Sequence, residues 1–212
     1  MSDHDTTGDE IRSPEELFRT AVLFESALGL VAILLGLTVG PDARAMVPRL
    51  SDAPWPELIQ GLAYGFIAAL PMWWFMTAIR HLPLRSVQEL EEIGSDGLFK
   101  LLLRLTPVEM IVVSLCAGVG EELLFRGWLL PAVASWIGGM DDPPSVVAAV
   151  IVSSVAFGLV HPVTRLYVVL ATIIGAYLAA LLLWTENLLV PIVAHAVYDA
   201  IQMIVAKHSS TD

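Results

Sequence analysis

The chain has 212 residues, of which 56% are hydrophobic and 16% charged, with a mean hydropathy of +0.72. Soluble domains carry about 25% charged residues, so these proportions exclude an ordinary water-soluble domain and indicate one polytopic membrane domain. The net charge of −11 comes with no large basic patch, which excludes nucleic acid as a ligand, and Cys116, the single cysteine, excludes an intrachain disulfide or a Cys-rich metal site.

Residues 1–16 read as an acidic tail, with Asp3, Asp5, Asp9, Glu10, Glu15 and Glu16 all ahead of residue 17. Such a composition predicts a solvated, disordered segment, and it lacks the basic start and cleavage site of a secretory signal peptide. Residues 17–206 form the predicted transmembrane domain. Six apolar segments are long enough to consider as spans: Leu17 to Val39, Leu58 to Ile79, Pro107 to Ile137, Ser145 to His161, Leu166 to Trp184, and Leu188 to Ala206. Ser13-Pro14-Glu15-Glu16 and Thr106-Pro107-Val108-Glu109 each offer a helix cap, a proline at the first helical position and a glutamate at the third. Gly138-Gly139 and Pro143-Pro144 mark a tight connection after the third segment. Between the second and third segments, Gly97 to Leu105 sets Lys100 and Arg104 on one side of a helix with leucines opposite. That pattern suits a helix lying in the membrane interface, or equally an amphipathic connector packed on the protein. Residues 207–212 are a short tail without a prenylation box.

Basic residues in the short loops set the orientation. The tail, the second and fourth loops and the C-terminus hold Arg12, Arg19, Arg80, Arg85, Lys100, Arg104, Arg165 and Lys207, whereas the other loops hold only Arg44 and Arg49. Eight against two predicts both termini in the cytoplasm, which agrees with an even number of spans.

The informative residues are the charges inside the spans. An ionisable side chain in hydrocarbon costs at least ~2.5–3.5 kcal/mol on insertion scales, so several kept together point to a use. Glu121, Glu122 and Arg126 fall near the middle of the third segment. Glu122 and Arg126 are four apart and share a helix face, where they can pair, while Glu121 is rotated away from them. The fourth segment ends in Phe157-Gly158-Leu159-Val160-His161, and the sixth places His195 and Asp199 four apart. Taken singly, a buried histidine is more often a hydrogen-bonded core residue than a catalyst, and Glu122 with Arg126 is a structural pair. Taken together, the six are satisfied most simply by converging on one cavity inside the bundle. Glu25, in the first segment, has no partner three or four residues away and is left without a role.

Glu-Glu-x-x-x-Arg, Phe-x-x-x-His and His-x-x-x-Asp on successive membrane helices resemble the CPBP family of type II CAAX prenyl endopeptidases and bacteriocin-immunity-type membrane proteases. The resemblance covers about residues 106–206. It implies an intramembrane endopeptidase in a helical bundle, acting on a peptide or lipidated protein substrate, located as a multi-pass protein in a bacterial plasma membrane and surrounded by lipid. On the matching positions Glu121 would be the general base that activates water, with His161 holding that water or sharing its proton. Glu122 and Arg126 would keep the helix face aimed, and His195 and Asp199 would support the oxyanion. The best-known CAAX proteases have Asn where this chain has Asp199, and an ionised aspartate cannot donate to an oxyanion. Either Asp199 is protonated, or it orients His195, which then donates alone; the second account is the favoured expectation.

For cofactors the expectation is none, or a divalent metal such as zinc held by Glu121, His161 and His195. The His-Glu-x-x-His spacing of one-helix zinc sites is absent, which favours metal-free chemistry. Two other classes stay open: a non-enzymatic immunity or scaffold protein of the same fold, and an ion or proton carrier, although no inverted repeat supports the carrier. The depths of the residues raise a further expectation. Glu121 lies about 21 Å along the third segment from Pro107, and that segment is about 46 Å long, well beyond the ~30 Å hydrocarbon core. Its start should project below the hydrocarbon, and the Pro162 turn should be drawn into the protein, bringing Glu121 and His161 within about 10 Å and opening the cavity toward the cytoplasm.

Overall fold

A computed structural model describes residues 13–48, 55–94 and 97–209. The helices are α1 (Pro14–Thr38), α2 (Trp55–Arg80), α3 (Arg85–Gly94), α4 (Gly97–Leu102), α5 (Pro107–Glu122), α6 (Leu130–Ile137), α7 (Pro143–Leu159), α8 (Arg165–Thr185) and α9 (Leu189–Ser209). A π-helical stretch, Leu123–Leu129, joins α5 to α6 without a break. No strand occurs among the described residues, and the all-α class read from the sequence is correct. Asp3, Asp5, Asp9 and Glu10 of the acidic tail, Arg12, Arg49 and the chain end from Ser210 lie outside the described residues.

Local chemistry sets the helix starts. Ser13 Oγ accepts from the Glu16 amide at 3.1 Å, so α1 begins at Pro14 and takes in the last residues assigned to the tail. At α5 the capping box is complete: the Glu109 amide donates to Thr106 Oγ1 at 3.3 Å, and the Thr106 amide to Glu109 Oε2 at 2.7 Å. Asp142 caps α7 by accepting from the Ser145 amide at 3.1 Å, which starts that helix at Pro143 rather than Ser145. Gly139, at φ +107°, makes the turn before it in a conformation open to glycine. The amphipathic stretch expected from Gly97 to Leu105 forms the short helix α4, which ends at Leu102, and another short helix, α3, precedes it.

The segment expected from Pro107 to Ile137 is one continuous helical run, but it is not α-helical throughout. In the π-helical stretch the Leu130 amide reaches back five residues to the Phe125 carbonyl. Ser153 Oγ, from α7, donates to the same carbonyl at 2.8 Å. Pro131 follows directly and has no N–H to give an α-helical ladder, so a wider turn just ahead of it sacrifices little.

The run α5–π–α6 is the spine of the bundle. One side of it packs against α1, the other against α9, while α7 lies along α6 and is covered by α8; α2 closes the outside of α9. Ala69 and Met72 of α2, Leu178 of α8 and Val190 and Ala194 of α9 make the largest core cluster. Contact between α1 and α5 is tightest where Gly29 meets Gly120. A Cβ at Gly120 would overlap the Glu25 carbonyl oxygen, so Gly120→Ala is expected to separate these helices and destabilise the protein by about 1–3 kcal/mol, read as a lower Tm in detergent. An unchanged Tm would mean the α1 contact contributes nothing.

Lys207 Nζ donates to the Leu105 carbonyl at 2.6 Å and Arg80 Nη2 to Gln202 Oε1 at 3.0 Å, so the ends of α2 and α9 and the start of α5 share one end of the bundle. Apolar side chains cover the outside, with Leu23 71% and Phe66 57% exposed. A soluble monomer does not leave such a surface bare; hydrocarbon covers it. By length and composition α1, α2, α8 and α9 can each cross a membrane, α7 is a shorter apolar helix of 17 residues, and the third span divides into α5, the π-helical stretch and α6. The protein is an integral membrane helical bundle.

Candidate active site

The end of α5 carries the two glutamates into the centre of the bundle, and α7, α8 and α9 bring their partners to them. Glu122 and Arg126 are both fully buried, and Arg126 Nη1 donates to Glu122 Oε1 at 2.7 Å. The pair foreseen from the spacing therefore forms. The guanidinium does more than pair: Nη2 donates to the Gly175 carbonyl of α8 at 3.0 Å, and its carbon stands 4.3 Å from the centre of the Phe157 ring. A side chain at position 175 would press on Nη2, so the glycine is what admits the guanidinium.

The same Glu122 oxygen, Oε1, lies 2.9 Å from His195 Nδ1. The other ring nitrogen of His195, Nε2, faces Asp199 Oδ2 at 3.3 Å, as the four-residue spacing on α9 predicts. Whichever tautomer His195 adopts, its N–H is directed at a carboxylate. The 3.3 Å contact is the one by which Asp199 would orient His195, while Glu122 holds the other ring nitrogen. The nitrogen that Asp199 holds is the one that would have to face the oxyanion, because Glu122 occupies the other. The link from Glu122 to His195 was not anticipated, since nothing in sequence spacing relates α5 to α9.

Glu121 points the other way. Its Oε2 lies 3.7 Å from His161 Nε2, well inside the separation the depth argument required, so the α7–α8 turn does reach the level of Glu121. His161 Nδ1 is 2.7 Å from the Phe157 carbonyl, which can only accept; Nδ1 therefore carries the proton, and in the neutral ring Nε2 offers a lone pair toward Glu121. Glu121 Oε2 is buried and makes no hydrogen bond among the described residues. The His161 side chain is 24% exposed against 9% for Glu121, so the approach to the carboxylate runs past the histidine. Phe157 is the wedge between the two halves of the site, 4.7 Å from the His161 ring and 5.8 Å from that of His195.

Glu25 belongs here too, contrary to the reading that left it without a role. Its carboxyl lies within electrostatic reach of His195, Asp199 and Glu121, and its buried Oε2 makes no hydrogen bond among the described residues. The signal was present in the sequence, an acid in an apolar span, but its partners are on other helices. Tyr167, on the first turn of α8, also reaches the site and had no signal at all.

A zinc ion held by Glu121, His161 and His195 does not fit this arrangement. Both nitrogens of His195 are turned to Glu122 and Asp199, which leaves two converging groups instead of three. Among the described residues no three His, Cys, Asp or Glu side chains are placed to share one ion.

Fold and site together define a polytopic membrane protein with an interior acid–histidine centre carried on its last helices. Residues 103–201 match the family model described as type II CAAX prenyl endopeptidase Rce1-like, and this match supports the resemblance to the CPBP family. The matched region contains Glu121, Glu122, Arg126, His161, His195 and Asp199 and coincides with the part of the chain that carries the motifs. A match to that family supports a peptide hydrolase. No curated protein and no solved structure matches the chain.

Proposed function

We propose that the protein is a membrane-embedded endopeptidase that hydrolyses a peptide bond with water activated between Glu121 and His161. The observation that carries this reading is the convergence of two acceptors, Glu121 Oε2 and His161 Nε2, at 3.7 Å. That gap is too long for a direct hydrogen bond and suits a water donating one hydrogen to each. A water so held presents its oxygen lone pairs to a carbonyl carbon, and Glu121 takes the proton as the oxygen attacks. His195 and Asp199 line the side where the carbonyl oxygen develops charge, their geometry fixed by Glu122 and Arg126. A scaffold or immunity protein would have no need of a buried acceptor pair with an approach from outside.

The substrate class is a peptide or lipidated protein whose hydrophobic end enters from the membrane. The basic residues gathered at the end of the bundle that holds Arg80, Arg165 and Lys207 support a cytoplasmic location for that end, in a bacterial plasma membrane with both termini inside. The test is to offer purified protein a panel of peptides and farnesylated peptides and read cleavage by mass spectrometry. Cleavage of none of them, by protein that is folded in detergent, would overturn the reading.

The same chemistry predicts that activity survives exhaustive chelation. Loss of activity with chelator, restored by added zinc, would overturn the metal-free mechanism.

A further inference from the structure

The site holds more acceptors than donors. Glu25, Glu121, Glu122 and Asp199 all present carboxyl groups to it, while both Nη groups of Arg126 and the two imidazoles that face it are already committed. Arg126 gives Nη1 to Glu122 and Nη2 to the Gly175 carbonyl. His161 gives Nδ1 to the Phe157 carbonyl, and both nitrogens of His195 face carboxylates. Hydrolysis of an amide concentrates negative charge on the carbonyl oxygen, and a donor aimed at that oxygen is among the largest contributions to such catalysis. With aspartate at 199 this chain lacks the obvious one.

Among the buried donors without hydrogen-bond partners, two belong to the Arg126 surroundings and are out of reach of a substrate. Arg126 Nε is fully buried behind the Phe157 ring, and Ser154, whose backbone packs on Gly175, has its Oγ buried as well. Tyr167 is differently placed. The Tyr167 amide donates to Thr164 Oγ1 at 3.0 Å, which starts α8 directly after the His161 turn and fixes the side chain beside that histidine. The ring centres of Tyr167 and His161 are 6.1 Å apart, and the residue is half-buried rather than sealed. The ring thus stands beside the histidine of the water-activating pair, and its phenol is near enough to both Asp199 and Glu121 to interact with each.

We propose that the Tyr167 hydroxyl donates the hydrogen bond gained by the scissile carbonyl oxygen as it becomes an oxyanion, replacing the donor that aspartate at position 199 cannot supply. The assignment rests on the hydrolytic reading above. No proton is transferred: the phenol keeps its hydrogen throughout, and the proton taken from water by Glu121 goes to the leaving amine.

Tyr167→Phe tests this with the ring and its packing retained. The expected result is a fall in kcat of about 10²–10³-fold, as for loss of one oxyanion donor, with KM changed less than about threefold and an unaltered Tm in detergent. Adding Asp199→Asn to Tyr167→Phe places a carboxamide N–H at the same oxygen and is expected to recover at least about tenfold of the lost kcat. Glu121→Ala is assayed in parallel. If Glu121→Ala is dead while Tyr167→Phe retains full kcat, the tyrosine assignment falls and the hydrolytic reading stands. If Glu121→Ala cleaves like wild type, the hydrolytic reading itself falls. A loss in KM alone, or a double variant no better than Tyr167→Phe, would also overturn the assignment.

Discussion

Glu121→Gln is expected to lower kcat for peptide cleavage by about 10²–10⁴-fold, the usual contribution of a positioned general base, while leaving the protein folded. The two halves of that expectation have separate grounds. Glutamine keeps the shape of the side chain but cannot take a proton from water, so the chemical step loses its base. Folding is spared because Glu121 Oε2 makes no hydrogen bond among the described residues, and the substitution therefore breaks no bond there. Removing a buried carboxyl that has no close cationic partner relieves a desolvation cost, so the Tm in detergent should hold or rise slightly. The measurement is kcat by chromatographic detection of the cleaved peptide, alongside a thermal melt. Wild-type kcat in Glu121→Gln would remove this residue from the mechanism; a collapsed melt would show it to be structural.

Arg126→Met should do the opposite, costing about 3–5 kcal/mol of stability because it leaves Glu122 charged, fully buried and without its cation. Three attachments go at once: the 2.7 Å bond to Glu122, the 3.0 Å bond to the Gly175 carbonyl and the stacking on Phe157. Lysine is a poor substitute. One ammonium on a flexible stem cannot reproduce a planar fork that serves a carboxylate and a carbonyl on different helices. Pairing Arg126→Met with Glu122→Gln removes the stranded charge, and the double variant should unfold at a higher denaturant concentration than Arg126→Met alone. A double variant less stable than the single one would show that the charge is not the source of the loss.

Much of the fold was legible because membrane helices declare themselves by length and composition. The bounds of α1, α2, α8 and α9 fall within a few residues of the apolar segments, and Ser13 and Thr106 cap where their sequence patterns say. Residues on one helix were equally readable: Glu122 with Arg126 and His195 with Asp199 meet because four residues are about one turn. What escaped depends on how helices are placed against one another. The contact of Glu122 with His195 spans 73 residues, and the approach of Glu25 depends on two glycines, Gly29 and Gly120, letting α1 sit flush against α5. The π-helical stretch left no trace because its residues carry the same apolar pattern as the α-helix on either side. Its signature is a carbonyl, that of Phe125, satisfied from another helix by Ser153.

Oxygen Oε1 of Glu122 receives Arg126, and through it α8, while also holding His195 of α9. One atom thus fixes the lengthwise setting of three helices. None of them can slip by a residue without dragging the others, so the spine, α8 and α9 shift as a unit or not at all. The keystone has no direct hold on α1 to α4. The family match begins at residue 103, at the threshold of α5, and leaves those four helices outside.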